Sequence, residues 1–328
     1  MTIGATPAAQ YRLRTATLHQ AALPLVVEPD ACGCDPHQAL AQVQACVHEH
    51  LERVGAILFR GFDFSGADSF HRFAAGFGDH LLNYEFGSTP RSSLGKGVYT
   101  STEYPAHQRI ALHNEQSYTR RWPMRIWFHC PLPASEGGET PIADSRLIYN
   151  LVDPAIRRRF NERGLMYVRN SGNGLDVPWQ QVFGTEDRQQ VQAYCQAHDI
   201  ACEWRDDGEL RTRQVCQATA VHPATGEAVW FNQAHLFHVS ALEPQVRQTL
   251  LELVEPPDLP RNVYYGDGSE IEDSVLDEIR GVLDSQTVAF AWRQDDVLML
   301  DNMLVAHARA PFKGPRKVVV AMARDHGA

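Results

Sequence analysis

The sequence predicts a mainly β protein with flanking helices, an α+β chain, on three observations. Short apolar runs bounded by Gly, Pro or Asp recur along it, as in GAILFRGFD (55–63), RIWFHCPLP (125–133), VLMLDN (297–302) and KVVVAMA (317–323), the pattern of buried strands. Between them lie segments with apolar residues at helical spacing, notably 36–54 and 270–285. At 328 residues the length suits one large domain or two small ones; we read 1–328 as one domain with an irregular N-terminal arm over 1–36.

Composition narrows the function classes. A net charge of −10 argues against a general binder of nucleic acid or anionic membranes. No apolar run approaches the roughly 20 residues needed to span a bilayer. The opening MTIGATPAAQYRLRTATLHQ lacks an apolar signal core, so a cytoplasmic protein is expected. Seven cysteines at irregular spacings fit reduced thiols rather than a disulfide framework. Cys32-Gly33-Cys34 has no second pair to complete a zinc site and reads as a loop.

In chain order, residues 1–36 are rich in Ala, Pro and Gly. A helix is expected over 36–54, with Leu40, Val43, Cys46, Val47 and Leu51 on one stripe. A buried strand follows at 55–63, then a helix over 65–78 with Ser65 as candidate cap and Phe70, Phe73 and Phe77 facing inward. Residues 79–109 are rich in Gly, Ser, Thr and Pro, with two short strands, and precede the first chemistry-bearing residues. Loops in that position often cover a site, so Asn83, Tyr84, Thr102 and Glu103 are offered to a substrate, ordinary loop residues being the equal reading. Residues 143–168 read as a helical insertion starting at Asp144 or Ser145. An amphipathic helix is expected after Thr185, and 201–232 as all β, with turns at Asp206-Asp207-Gly208 and near 223–226. A helix near 270–285 leads to two strands and a turn at Asp295-Asp296.

The organising stretch is 110–145, opening with His113-Asn114-Glu115. On a strand, alternation points an imidazole and a carboxylate two residues apart to the same face. His307 offers a third donor from far downstream. Two histidines and a carboxylate leave the opposite positions of a metal open, as in non-heme Fe(II) oxygenases. His129 lies in an apolar run and reads as a core histidine. His235 and His238, three apart, read as structural rather than as a second metal pair.

The order H-N-E, then GGET at 137–140, then D-N-x4-H and Arg316 resembles the TauD/TfdA superfamily of Fe(II)- and 2-oxoglutarate-dependent oxygenases. Within it the chain is most similar to the clavaminate-synthase-like and SyrP-like branch. The resemblance covers about 54–323 and implies a double-stranded β-helix (jelly roll) core with helical insertions. It implies Fe(II) on His113, Glu115 and His307, with 2-oxoglutarate and O2 as cosubstrates. It assigns Thr140 and Arg316 to the distal carboxylate of 2-oxoglutarate, and a fixed bidentate cation suits that role; Arg309 and Lys317 are nearby competitors. Related halogenases lack the carboxylate retained at Glu115, so hydroxylation is favoured. Asn83, Glu103, Asn232 and Arg324 are the substrate candidates, Arg324 only if strand alternation carries it to that side.

The leading reading is hydroxylation of an amino acid, free or tethered to a peptidyl carrier protein, in natural-product synthesis, with homo-oligomerisation left open. A taurine- or aryloxyalkanoate-like catabolic dioxygenase is the alternative, and a non-catalytic jelly-roll binding protein the remote one.

Overall fold

The strands Ala56–Phe59, Asp296–Asp301, Arg121–Leu132 and Lys317–Gly327 lie side by side in one sheet, and their near-continuous apolar sequences follow from burial on both faces. The computed structural model describes residues 12–18, 23–65, 68–83, 92–101, 104–172, 174–205 and 208–327. Ile57, Phe59, Trp127, Val297, Met299, Val319 and Ala321 point to one face, where helices Leu40–Val54 and Ser69–Ala75 cover them with Val43, Val47, Leu51, Phe70 and Phe73. Leu58, Ile126, Phe128, Leu298, Leu300, Val318, Val320 and Met322 point to the other, against Ile142, Val229, Phe231, Trp292 and Val305. Each such side chain contributes about 1.5–3 kcal/mol on burial.

The sheet has eight strands, in the order Leu13–Thr17, Leu25–Pro29, Ala56–Phe59, Asp296–Asp301, Arg121–Leu132, Lys317–Gly327, Val98–Thr100, Ser93–Gly95. All pairs are antiparallel except Leu25–Pro29 with Ala56–Phe59. Opposite it lies a three-stranded sheet with Val305–Arg309 between Ile110–His113 and Ile142–Asp144. This mainly β core is the expected jelly roll. A four-stranded sheet, Ala201–Trp204, Leu210–Cys216, Leu165–Ser171 and Arg261–Tyr265 in order, packs with helices Ser145–Leu151, Pro154–Arg163 and Asp273–Ser285 on a second core around Phe160, Tyr167 and Ile279. A smaller cluster of Trp179, Val191, Cys195, Ile200 and Leu210 closes its outer end. No helix among the described residues is long and apolar enough to cross a membrane.

Several expectations need correction. The arm over 1–36 is not irregular throughout: it supplies two strands of the main sheet, missed because their apolar stretches are short and one is flanked by prolines. The first helix starts at Leu40, since Asp35 accepts from the His37 amide and holds the chain in a turn. Ser65 caps nothing; its amide donates to Asp63, and the second helix starts at Ser69. The 143–168 insertion is two helices, capped by Asp144 and Asp153, and from Leu165 it is already strand. One regular strand, not two, follows the Asp273–Ser285 helix before His307; Val288 makes only an isolated bridge to Ile142. Tyr84, Thr102, Glu103, Asp206 and Asp207 lie outside the described residues.

Candidate metal centre and cosubstrate pocket

His113 ends the Ile110–His113 strand and sits directly opposite His307 on the antiparallel Val305–Arg309 strand. Their rings approach to 4.4 Å between centroids. After His113 the chain turns, bringing Glu115 beneath them, with its Oε2 3.8 Å from His307 Nε2. One ligand atom from each of the three lies within 4.8 Å of the other two. The Nδ1 of His113 is 2.9 Å from the Ala111 carbonyl, a contact only a protonated nitrogen makes well. That assignment leaves Nε2 with its lone pair outward, the tautomer a metal needs. His307 packs on Phe128 at 4.9 Å.

Glu115 is not on a strand, so its position must be imposed from outside. Asn302, fully buried, does this: its Oδ1 accepts from the Glu115 amide at 2.7 Å, and its Nδ2 donates to the carbonyls of Glu115 and Pro123 at 2.9 and 2.8 Å. Asn114 is tied to the same turn through Asn302 O and Ser145 Oγ. Asp301 accepts from the Met303 and Leu304 amides and pairs with buried His222 at 3.1 Å. The Asp-Asn pair therefore shapes the turn leading to His307 while clamping Glu115. Sequence reasoning noted the D-N-x4-H spacing without giving Asn302 a task.

A narrow cavity beside the histidines is lined by Ser101, Phe128, Thr140, Val318 and Arg316. Gly137 and Gly138 both have positive φ, +68° and +75°. A Cβ on Gly137 would lie 2.2 Å from the Pro311 carbonyl, and one on Gly138 3.0 Å from the Arg316 side chain; glycine permits both approaches. The Gly138 carbonyl accepts from Arg316 Nε at 2.9 Å and aims the guanidinium into the cavity. Burial pushes the Arg316 pKa down to about 10, the direction expected of a cation waiting for a counter-charge. Thr140 is buried, and Trp292 Nε1 donates to its hydroxyl at 3.2 Å. Trp292 carried no signal, being 152 residues away in sequence.

The competitors separate cleanly. Arg309 lines the cavity too, but its guanidinium donates to the carbonyls of Tyr104, Pro105 and Gln108 at 2.9, 2.7 and 2.9 Å. Lys317 is exposed and lines a different surface cleft, beside Asp295. Among the substrate candidates, Asn232 spends its amide internally, donating to Ala218 O and accepting from the Ala234 amide. It is buried and lines neither cavity described for this chain. Arg324 has φ +61°, which breaks strand alternation, and it pairs with Asp79 in an outer cleft with Val47 and His48. Asn83 accepts from the Tyr99 hydroxyl at 3.3 Å, and Glu103 lies outside the described residues. His129 is a core histidine between Phe64 and Phe70. His235 contacts the Leu112 carbonyl and His238 contacts Ser240, so they form no second metal pair. All seven cysteines are free.

Residues 21–322 match the taurine catabolism dioxygenase TauD, TfdA family. The chain is 43% identical over 276 residues to the dapdiamide synthesis protein DdaC of Enterobacter agglomerans, covering 84% of both chains. It is 30% identical over 284 residues to a clavaminate synthase-like protein of Arabidopsis thaliana, covering 84% of this chain and 83% of that one. Among solved structures it resembles PvcB of Pseudomonas aeruginosa, with a TM-score of 0.55 at 17% identity over 98% of this chain and 95% of that one. PvcB is an Fe, alpha-ketoglutarate dependent oxygenase from an isonitrile synthetic pathway. A taurine dioxygenase of Burkholderia xenovorans superposes with a TM-score of 0.51 at 15% identity, over 95% and 89% of the two chains. At those identities the structural likeness speaks to fold.

Proposed function

The chain belongs to the TauD/TfdA family and is an Fe(II)- and 2-oxoglutarate-dependent dioxygenase; from that premise we propose that it hydroxylates an unactivated C–H bond of an amino acid, free or held on a peptidyl carrier protein, in natural-product synthesis. The observation that carries the site assignment is the meeting of His113, Glu115 and His307 across two paired strands and a clamped turn. Two imidazoles and one carboxylate in that array are the donor set of a non-heme Fe(II) centre with open positions, and we assign them as its ligands. Similarity to a dapdiamide synthesis protein favours biosynthesis over catabolism. Free thiols suit a reducing cytoplasm.

When bound, iron would activate O2, the oxidant, whose four electrons would come two from 2-oxoglutarate, leaving as succinate and CO2, and two from the substrate C–H bond. The protein supplies position and environment. Arg316, steered by Gly138, holds the distal carboxylate with charge-assisted hydrogen bonds. Thr140, already accepting from Trp292, keeps its own O–H to donate to the same carboxylate. Phe128, Ile110, Ala308 and Val318 wall the cavity with apolar surface and keep water away from the charged pair. The Ala111 carbonyl fixes the His113 ring, and Asn302 fixes the Glu115 backbone.

Anaerobic titration with Fe(II) and 2-oxoglutarate tests this reading through the weak visible charge-transfer band of the chelate. The wild type is expected to show the band, His113→Ala to lose it and Arg316→Ala to need much more 2-oxoglutarate. A correctly folded wild type with no band sinks the assignment.

A further inference from the structure

The stretch that carries two of the three donors has little regular structure of its own. The Ile110–His113 strand lies at the edge of its three-stranded sheet, and past His113 the backbone leaves the ladder. Its buried carbonyls must then find partners elsewhere, and side chains from distant segments supply them. His235 Nε2 is 2.8 Å from the Leu112 carbonyl, and Gln233 Nε2 donates to the Asn114 carbonyl at 2.8 Å. Further along, Gln217 Nε2 donates to the Ser117 and Thr119 carbonyls at 3.0 and 3.1 Å, where Gln116 and Thr119 border a larger cavity of about 350 Å³. His113 is thus flanked on both sides by carbonyls that the 233–235 segment holds, Leu112 before it and Asn114 after it.

The two holders are themselves fixed. The Gln233 amide donates to the Tyr167 hydroxyl at 2.9 Å, the Ala234 amide to Asn232 Oδ1 at 3.0 Å, and Arg280 to the His235 carbonyl at 2.9 Å. His235 Nδ1 has no hydrogen-bond partner among the described residues, so the single ring proton of the neutral imidazole belongs on Nε2, where the Leu112 carbonyl accepts it. Gln233 and His235 are 4% and 3% exposed, and a carbonyl released at that depth has no bulk water to turn to. The bond from His113 Nδ1 to Ala111 orients the ring; where the ring sits depends on the backbone that carries it.

We propose that Gln233 and His235 are positioning residues for the metal centre: by gripping the backbone on either side of His113, they set the imidazole, and Glu115 two residues on, opposite His307. The inference rests on the metal-site reading above and adds the segment that sets its geometry. His235 serves the metal without binding it. Its grip on Leu112 counts for more than that of Gln233 on Asn114, because the Asn114 carbonyl also accepts from the Ser117 amide and hydroxyl at 3.2 and 2.9 Å.

The test uses the full chain and Mn(II) alone, free Mn(II) being read from its EPR signal in solution. Wild type is compared with His235→Gln, His235→Asn and Gln233→Met, and melting curves check that each folds. A glutamine amide reaches as far as the histidine Nε2, whereas an asparagine amide stops at the depth of Nδ1. His235→Asn should therefore bind Mn(II) about 10–100-fold more weakly, the usual cost of losing a supporting group, and His235→Gln should stay within about threefold of wild type. Gln233→Met should fall between them. A merely structural role predicts lower melting temperatures with the wild-type Kd in every variant. Wild-type affinity in His235→Asn overturns the proposal, as does equal weakening in the Asn and Gln variants. Should His235→Asn not fold, Gln233→Met decides, and wild-type affinity there overturns it. A wild type that binds no Mn(II) sinks the metal-site reading itself; one that binds it no better than the variants removes this inference alone.

Discussion

Two pairs of histidines sit near one another in this protein and differ in what surrounds them. His113 and His307 face each other across a strand pair, with Glu115 brought up as a third donor. His235 and His238 are closer in sequence, yet one turns to the Leu112 carbonyl and the other to Ser240. Burial pushes the pKa of both members of the second pair down to about 4, so they stay neutral as packing and hydrogen-bonding groups. Spacing did not distinguish the pairs; strand pairing and a clamped carboxylate did.

Six substitutions, in four tests, probe that contrast. The largest effect belongs to His307→Ala, which removes one of the three proposed ligands: Fe(II) affinity should fall by more than the roughly 10–100-fold typical of losing a supporting group. His238→Ala should bind iron as the wild type does, by anaerobic titration. Next is Arg316→Ala against Arg309→Met. Losing charge-assisted hydrogen bonds worth about 1.5–3 kcal/mol each should raise the KM for 2-oxoglutarate on the order of 100-fold in the first. In the second, the three bonds to the 104–108 loop are lost, and the main change should be faster proteolysis of that loop. Equal effects on KM would erase the distinction between the two arginines.

Asn302→Ala should come third. Its loss frees the Glu115 backbone and strands buried groups at a cost of about 1–3 kcal/mol. Iron affinity and the denaturation midpoint should drop together; a change in stability alone would show that the clamp does not serve the metal. The smallest effect is on pH dependence. His238 is buried, facing Asp273, Arg247 and Arg280, and its folded pKa of about 4 lies below the ordinary value of 6.5. The unfolded chain therefore binds the extra proton first as pH falls. The stability from keeping His238 neutral is present above pH 6.5 and is lost towards pH 4, by at most about 1.4 kcal/mol per pH unit. Urea unfolding of His238→Gln across that range should show a shallower slope than the wild type.

The sequence made the fold class legible through local pattern, and the three proposed donors and Arg316 stood out because each belongs to a short motif. What it hid was tertiary. Asn302 acts through a turn 187 residues away, and Trp292 through a contact with Thr140. Arg324 shows the opposite failure: alternation is a good rule until one residue takes a left-handed conformation. The strands of the N-terminal arm were too short to announce themselves; Leu25–Pro29 pairs on Ala56–Phe59, and Leu13–Thr17 pairs on Leu25–Pro29 in turn.

The separate small core around Trp179, Val191, Cys195, Ile200 and Leu210 has a consequence for how such a protein changes over generations. Its layer contributes Tyr194, His198, Ile200 and Gln214 to the larger cavity and none of the three donors. Substitutions in this layer can therefore be supported by its own packing without touching any of the three donors. A laboratory testing that independence would shuffle residues 177–216 as one block.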